Sequence, residues 1–424
     1  MKRVVVTGMG TVSPNGHDLA AFNWGIREGI SGIRFIDELA ALNFRCRVGG
    51  VPVLSEDQKT ILTTYGLLES SAYLQYSLLA GLEAWRDAGF EMPEPMGGDV
   101  QYDTGSIIGT GFAAMDIKGK KLVPAIDSGQ IKKLRSDLVE QVMINAPTTL
   151  LTKVLALGNM NFTNSNACAT GTDAILMAAQ HIKCGNARRM LAGGADAYSP
   201  YYWGLFDAMR ILSPEFNDRP HEASRPMSAS ACGFVPGAGA AILVLEEAES
   251  ALERKAEIYG EIAGGHMNTG GQRNGGSMTA ANNEAIVRCI TLALQNAGTV
   301  PEEVDYISGH LTATKADATE ILNWKTALHC TYDNFPKINS LKSLTGHLLG
   351  AAGAMETAAS LLQIKGGFVH GNINCSDLHP GIAEAVSTQS IPGKTQEKII
   401  NCALKASFGF GDVNSCLVLK KFIP

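Results

Sequence analysis

The run Thr163-Asn164-Ser165-Asn166-Ala167-Cys168-Ala169-Thr170-Gly171-Thr172 sets one cysteine among small and hydroxyl-bearing neighbours. Behind it, Ile175, Ala178, Ala179 and Ile182 recur with helical spacing, so Cys168 is expected in the first turn of a helix. Unpaired N–H groups and the helix dipole at such a place favour a thiolate, the reactive form of cysteine. Ala167, Ala169 and Gly171 are small enough to leave room for a bulky substrate. The competing reading is a buried core cysteine, which the rest of the nine are expected to be.

Two histidines offer matching acid–base chemistry. His310 follows an apolar run in Tyr306-Ile307-Ser308-Gly309-His310, and His347 lies in Lys342-Ser343-Leu344-Thr345-Gly346-His347-Leu348-Leu349-Gly350-Ala351-Ala352-Gly353. Two imidazoles can polarise a carbonyl and stabilise an enolate or oxyanion. A buried Lys342 would add positive charge that favours anions. The late run Ser407-Phe408-Gly409-Phe410-Gly411 suits a loop that aims a backbone N–H into a site, or else an ordinary glycine-rich turn.

These residues need a scaffold. Strand-like apolar runs at 4–6, 107–108, 190–192, 240–245 and 415–419 alternate with helix-like stretches at 72–88, 172–184, 283–297 and 350–364. That alternation predicts a layered α/β fold. Val4-Val5-Val6-Thr7-Gly8 reads as a strand ending in a turn, and it lacks the apolar core of a signal peptide. Asn164-Ser165 and Thr170-Gly171 return, 175 positions later, as Asn339-Ser340 and Thr345-Gly346, a spacing that chance or an internal duplication would explain. The charged segment 246–255 marks the expected handover between two halves, 1–245 and 246–424.

Composition narrows the class. Apolar residues make up 45% and charged ones 18%, as in globular chains. A net charge of −6 gives no overall basic footprint for nucleic acid. No apolar run is long enough to span a bilayer. The nine cysteines are scattered without a Cys-x-x-Cys, which argues against disulfide frameworks and zinc ribbons and for a cytoplasmic protein with free thiols. Gly8-Met9-Gly10 lacks the third glycine of a dinucleotide fingerprint.

Taken together, Ala167-Cys168-Ala169-Thr170-Gly171, the run 342–353 and Ser407 to Gly411 resemble the elongating β-ketoacyl-[acyl-carrier-protein] synthases of the thiolase superfamily, over nearly the whole chain. The resemblance implies a five-layered α/β fold of two similar halves, the first carrying the nucleophile and the second the histidines and lysine. It implies that Cys168 takes an acyl chain from acyl carrier protein as a thioester. His310 and His347 then assist decarboxylation of the malonyl carrier protein, and the carbanion attacks that thioester. The N–H groups of Cys168 and Phe408 are the expected oxyanion hole, and Lys342 and Glu356 match charged positions near the histidines, with supporting roles. Phe112, Phe206 and Phe408 are expected at the acyl tunnel or its gate, and Arg210 at carrier docking. No cofactor and no metal are expected. The expected assembly is a homodimer, with a heterodimer alongside a related subunit as the alternative.

The sequence also departs from that pattern. His-Gly-Thr becomes His310-Leu311-Thr312, and the stretch to the next acids is one residue short, which leaves Asp317 and Glu320 without firm equivalents. A charged run after Ser224-Arg225-Pro226 becomes Met227-Ser228-Ala229-Ser230-Ala231-Cys232-Gly233, and Gly-Gly-Thr-Asn becomes Gly411-Asp412-Val413-Asn414. The stretch 59–69, where docking residues are expected, holds a single lysine, Lys59. An intact catalytic set beside altered gating and docking regions fits a specialised polyketide- or polyene-like pathway as well as fatty-acid elongation. A coenzyme A thiolase would carry a second catalytic cysteine in a Cys-x-Gly context, which Cys402 and Cys416 lack. A non-catalytic chain-length subunit would lack the active cysteine.

Overall fold

The structure is a computed structural model that describes residues 2–94 and 97–424. Ten strands form its hydrogen-bonded framework: β1 (Val4–Val12), β2 (Thr104–Gly109), β3 (Asn161–Phe162), β4 (Arg189–Asp196), β5 (Gly239–Glu247), β6 (Gly260–Thr269), β7 (Tyr306–Ser308), β8 (Lys337–Asn339), β9 (Cys402–Gly409) and β10 (Val413–Lys420). Their order across the sheet is β8-β7-β9-β10-β6-β1-β5-β4-β2-β3. Reading outward from the centre, one half runs β1-β5-β4-β2-β3 and the other β6-β10-β9-β7-β8, the same order with every strand five places later. The pairing sense repeats as well. The inner pairs β1/β5, β5/β4 and β6/β10, β10/β9 are antiparallel, while β4/β2, β2/β3 and β9/β7, β7/β8 are parallel. The halves join where Val5 and Val6 pair with Glu261 and Gly260.

Helices complete five layers. The first half-sheet carries α1 (Ala72–Asp87) on its outer face. Between the half-sheets lie α2 (Thr170–Lys183) and, later in the chain, α6 (Ala352–Gly366), each touching strands of both halves. Outside the second half-sheet lies α4 (Asn283–Asn296), with α5 (Ala316–Ala327) against it; the short α3 (Pro200–Ala208) lies near the site. Every residue of α6 from Ala352 to Ile364 is buried, as a helix with sheet on both sides requires. Ile175, Ala178, Ala179 and Ile182 of α2 are buried as their spacing predicts. Among the described residues no helix is long and apolar enough to cross a membrane.

Two sequence expectations change here. The first strand does not turn at Gly8 but runs on to Val12. A Cβ at Gly8 would lie 2.3 Å from the Ala84 carbonyl and one at Gly10 2.0 Å from that of Ala80, so both glycines let α1 press onto the strand. Gly171, expected to make room for substrate, brings the central helices together: a Cβ there would lie 2.7 Å from the Ala354 nitrogen.

Candidate active site

Cys168 sits on the bend into α2, two residues before its first helical residue, Thr170. Ala167 before it adopts a left-handed conformation, φ 48°, which costs a residue with a Cβ about 1 kcal/mol. The Cys168 Sγ lies 3.1 Å from His347 Nε2. The other nitrogen of that ring, Nδ1, accepts the Leu349 N–H at 3.1 Å. A neutral imidazole that accepts at Nδ1 carries its proton on Nε2, so His347 donates to the sulfur. His310 stands edge-on to His347, with ring centroids 5.4 Å apart. Its Nδ1 is buried without a hydrogen-bond partner among the described residues. Sγ and one ring nitrogen from each histidine lie within 4.8 Å of one another, so this set could also hold a thiophilic cation.

Burial, then the charges of Lys342 and Lys405, hold the His347 pKa well below the usual 6.5; burial, Lys342, His347 and Lys405 do the same for His310. Both rings are therefore neutral near pH 7. The thiol departs from expectation. Burial pushes Cys168 up to about 11, against the pull of Lys342 and of the Phe410 N–H. Desolvation outweighs the helix terminus, and the resting group is a thiol rather than a thiolate.

The histidines rest on a buried ionic floor. Lys342 donates to the His310 carbonyl at 2.6 Å and pairs with Glu356 on α6. Lys405 on β9, unremarked in the sequence, lies 3.0 Å from the other Glu356 oxygen. Glu320 fixes the His310 backbone, accepting the N–H of His310 at 2.7 Å and of Leu311 at 2.8 Å. Asp317 accepts the N–H of Thr312 at 2.9 Å and of Met227 at 2.8 Å, so the shortened stretch still places both acids under the loop. The loop that lost its charges is held by Asp377, which accepts Ser228 Oγ at 2.6 Å and the Ser230 N–H at 3.0 Å.

Phe408 and Phe410 both border the site, on either side of Gly409. The Phe410 N–H lies on the side of the thiol and pulls its pKa down. Phe408 lies within β9 opposite Asn414, and its ring packs near His310 and Trp324, at 6.1 and 6.3 Å. The Phe410 ring meets Phe206 at 6.3 Å. Gly409 between them leaves the Cys168 amide uncovered, since a Cβ there would lie 3.1 Å from that nitrogen. The bend after Phe410 is latched by Asp412, left-handed at φ 62°. Its carboxylate accepts the N–H of Gln272 at 2.9 Å and of Asn282 at 2.8 Å, tying the bend to the loop after β6.

Phe112 stacks on Tyr202 at 4.5 Å and meets Phe206 edge-on at 5.8 Å. Phe206 contacts Phe234 at 5.5 Å, and Phe234 contacts His347 at 5.5 Å. An aromatic wall thus runs from the catalytic imidazole to Phe112. Arg210 is exposed just past α3, with no carboxylate partner among the described residues, whereas Lys59 is paired with Glu56 at 2.7 Å.

A thiol at a helix entrance, facing imidazoles supplied by a second, topologically equivalent half, defines the class of thiolase-fold condensing enzymes. The chain belongs to the β-ketoacyl synthase family: residues 1–251 match its N-terminal domain and residues 259–376 its C-terminal domain. It is 34% identical to the chloroplastic 3-oxoacyl-[acyl-carrier-protein] synthase I of Arabidopsis thaliana, over 100% of this chain and 87% of that one. It is 33% identical to the 3-oxoacyl-[acyl-carrier-protein] synthase 2 of Vibrio harveyi, over 99% of each. Among solved structures, a type II polyketide ketosynthase, in complex with its acyl carrier protein and bound to a hexaketide, superimposes with a TM-score of 0.85 at 31% identity, covering 99% of this chain and 100% of that one. A β-ketoacyl synthase from Burkholderia phymatum gives a TM-score of 0.87 at 27% identity, covering 100% of both.

Proposed function

We propose that this chain catalyses the decarboxylative condensation of malonyl-acyl carrier protein with an acyl group held on Cys168, in fatty-acid or polyketide chain elongation. The observation that carries this reading is the Cys168–His347 contact of 3.1 Å, with the His347 tautomer set by Leu349. In the first step the Cys168 sulfur attacks the acyl thioester; its S–C bond forms, and the carrier's thiol leaves with the proton that Cys168 gives up. The malonyl thioester then loses carbon dioxide. The electron pair left behind delocalises onto the thioester oxygen, where the His347 Nε2–H and the His310 ring stabilise it. The carbanion attacks the Cys168 thioester, and the N–H groups of Cys168 and Phe410 hold the tetrahedral oxyanion. Its collapse breaks the S–C bond and returns the sulfur, which takes up a proton. Lys342, supported by Glu356, anchors the His310 backbone, and Phe112 and Phe206 line the acyl slot.

The same reading carries an assembly. Asn161 and Phe162 form an outermost strand that is exposed, with Met160 exposed beside it. A bare apolar strand edge is covered in most proteins, and a second, identical or related subunit fits it; light scattering of the purified chain reads this out. We keep the division into halves at 245/246, and a cytoplasmic location, which the nine free cysteines support. The direct test of function is intact-mass analysis after incubation with acyl carrier proteins, followed by peptide mapping. An acyl adduct on Cys168, and product only when malonyl carrier protein is added, is expected. An adduct elsewhere, or unchanged activity in Cys168→Ala, overturns the reading.

A further inference from the structure

Lys405 has no part in the mechanism above, yet it is a fully buried cation at the base of the site. Its strand carries it and Ser407 toward the central helices. Its Nζ donates to Thr172 Oγ1 at 2.7 Å and to Ser407 Oγ, and Thr172 and Ser407 lie 2.9 Å apart. Thr172 belongs to the first turn of α2, the helix that Cys168 leads into. Space for the ammonium comes from Gly353 on α6, where a Cβ would lie 3.2 Å from Nζ. The 3.0 Å approach to Glu356 Oε2 is off the hydrogen-bonding axis, so it is an ion pair and leaves that oxygen otherwise unbonded.

Lys342, Lys405 and Glu356 are all buried, so two ammonium groups share one carboxylate. The next carboxyl, Asp173, is bonded to Ser415 and to Asn166 and pairs with neither lysine. Cys416, the remaining titratable group against Lys405, is buried and held as a neutral thiol. A lone Lys342–Glu356 pair would carry no net charge. We infer that Lys405 is a positioning residue for charge: by sharing Glu356 with Lys342 it leaves the three groups with one net positive charge beside Cys168, His310 and His347, so that the site favours every anion the reaction passes through. This inference rests on the proposed condensation for its purpose but not for its test. Burial alone makes an excess cation unfavourable, so its placement here calls for anionic species nearby. The field of Lys405 is felt at both imidazoles, whose protonation it opposes.

The test needs no substrate. In Lys405→Gln the amide can still donate to Thr172 and Ser407, but the charge is gone. Alkylation of Cys168 by iodoacetamide, followed by mass spectrometry between pH 7 and 9.5, should run about tenfold slower than in the wild type, one pH unit of thiol acidity. A merely loosened site would expose the sulfur and speed the reaction. Glu356→Gln is the mirror variant and should alkylate faster than the wild type, because both ammoniums then act unopposed. Equal rates in wild type and Lys405→Gln, with matching melting temperatures, overturn the inference. Should Lys405→Gln fail to fold, a Glu356→Gln rate at or below wild type overturns it as well. Acyl transfer and condensation are scored separately, so failure of the proposed function would show as missing product with the alkylation pattern intact.

Discussion

The two halves share a strand order and differ in what they hang on it. In the first, residues 163–169 lead from β3 straight into α2, and the bend delivers one thiol. In the second, residues 340–351 lead from β8 to α6 and contain a short helix, Lys342–Thr345, and a turn, Leu349–Ala351. Lys342 opens that short helix, His347 lies between it and the turn, and His310 lies two residues past β7. The first half also supplies Phe112, Tyr202 and Phe206, the acyl wall. On the proposed condensation, one repeated strand order serves two tasks: the first half would hold the acyl chain and the second would handle charge and protons. Mutations should sort by half: those in the second should damage decarboxylation, and those in the first should change which acyl groups are loaded.

The largest effect tests this division directly. His347→Ala and His310→Ala should each lower carbon dioxide release by about a hundredfold or more, while burst acylation of Cys168 falls much less. Full decarboxylation in both would erase the distinction. Because both imidazoles have pKa values held below 6.5, they stay neutral as pH falls through 6.5, and the acid limb of decarboxylation should lie below that value. Next in size is Phe112→Ala. The ring stacked on Tyr202 should make a long chain less favourable by about 1–3 kcal/mol, so the variant should acylate with long acyl carriers at rates nearer to those of short ones. Equal loading of both lengths by wild type would move the limit elsewhere.

Asp412→Gly crosses the boundary between the halves, since the loop it latches carries an oxyanion donor to the thiol. It should leave two N–H groups unpaired at about 1–3 kcal/mol each, partly offset by relief of the left-handed conformation. Hydrogen exchange over 270–282 and 409–413 should quicken, and kcat should fall severalfold. Unaltered exchange would show that the latch does nothing. The smallest effect is expected for Arg210→Glu, which should raise KM for carrier protein a few-fold at low salt and hardly at all at high salt.

What could be read from the sequence follows from how local each signal is. Cys168, His310, Lys342 and His347 each stand in a run of small residues or glycines whose shape is determined within a few positions. The sequence does not say how Phe408 and Phe410 divide their roles, because strand alternation ends at Gly409 and the following bend sets where each amide points. Lys405 was hidden: one lysine in the apolar strand Ala403-Leu404-Lys405-Ala406 gives no sign of its carboxylate, which lies on a different element. The echo at 175 residues located matching strand ends but not matching helix starts, since the second half contains the added turn. The thiolate expectation failed because helix position is visible in a sequence and burial is not.

That half-buried, neutral thiol has a consequence for its reactivity. Desolvation holds the group as the thiol, against the pull of Lys342 and the Phe410 N–H, so the thiolate is the minor form at neutral pH. Peroxides and electrophilic metabolites, which attack thiolates, find little to attack between turnovers. The sulfur is chemically quiet until a thioester is seated against it, so the resting enzyme should tolerate oxidative conditions that inactivate proteins with acidic cysteines.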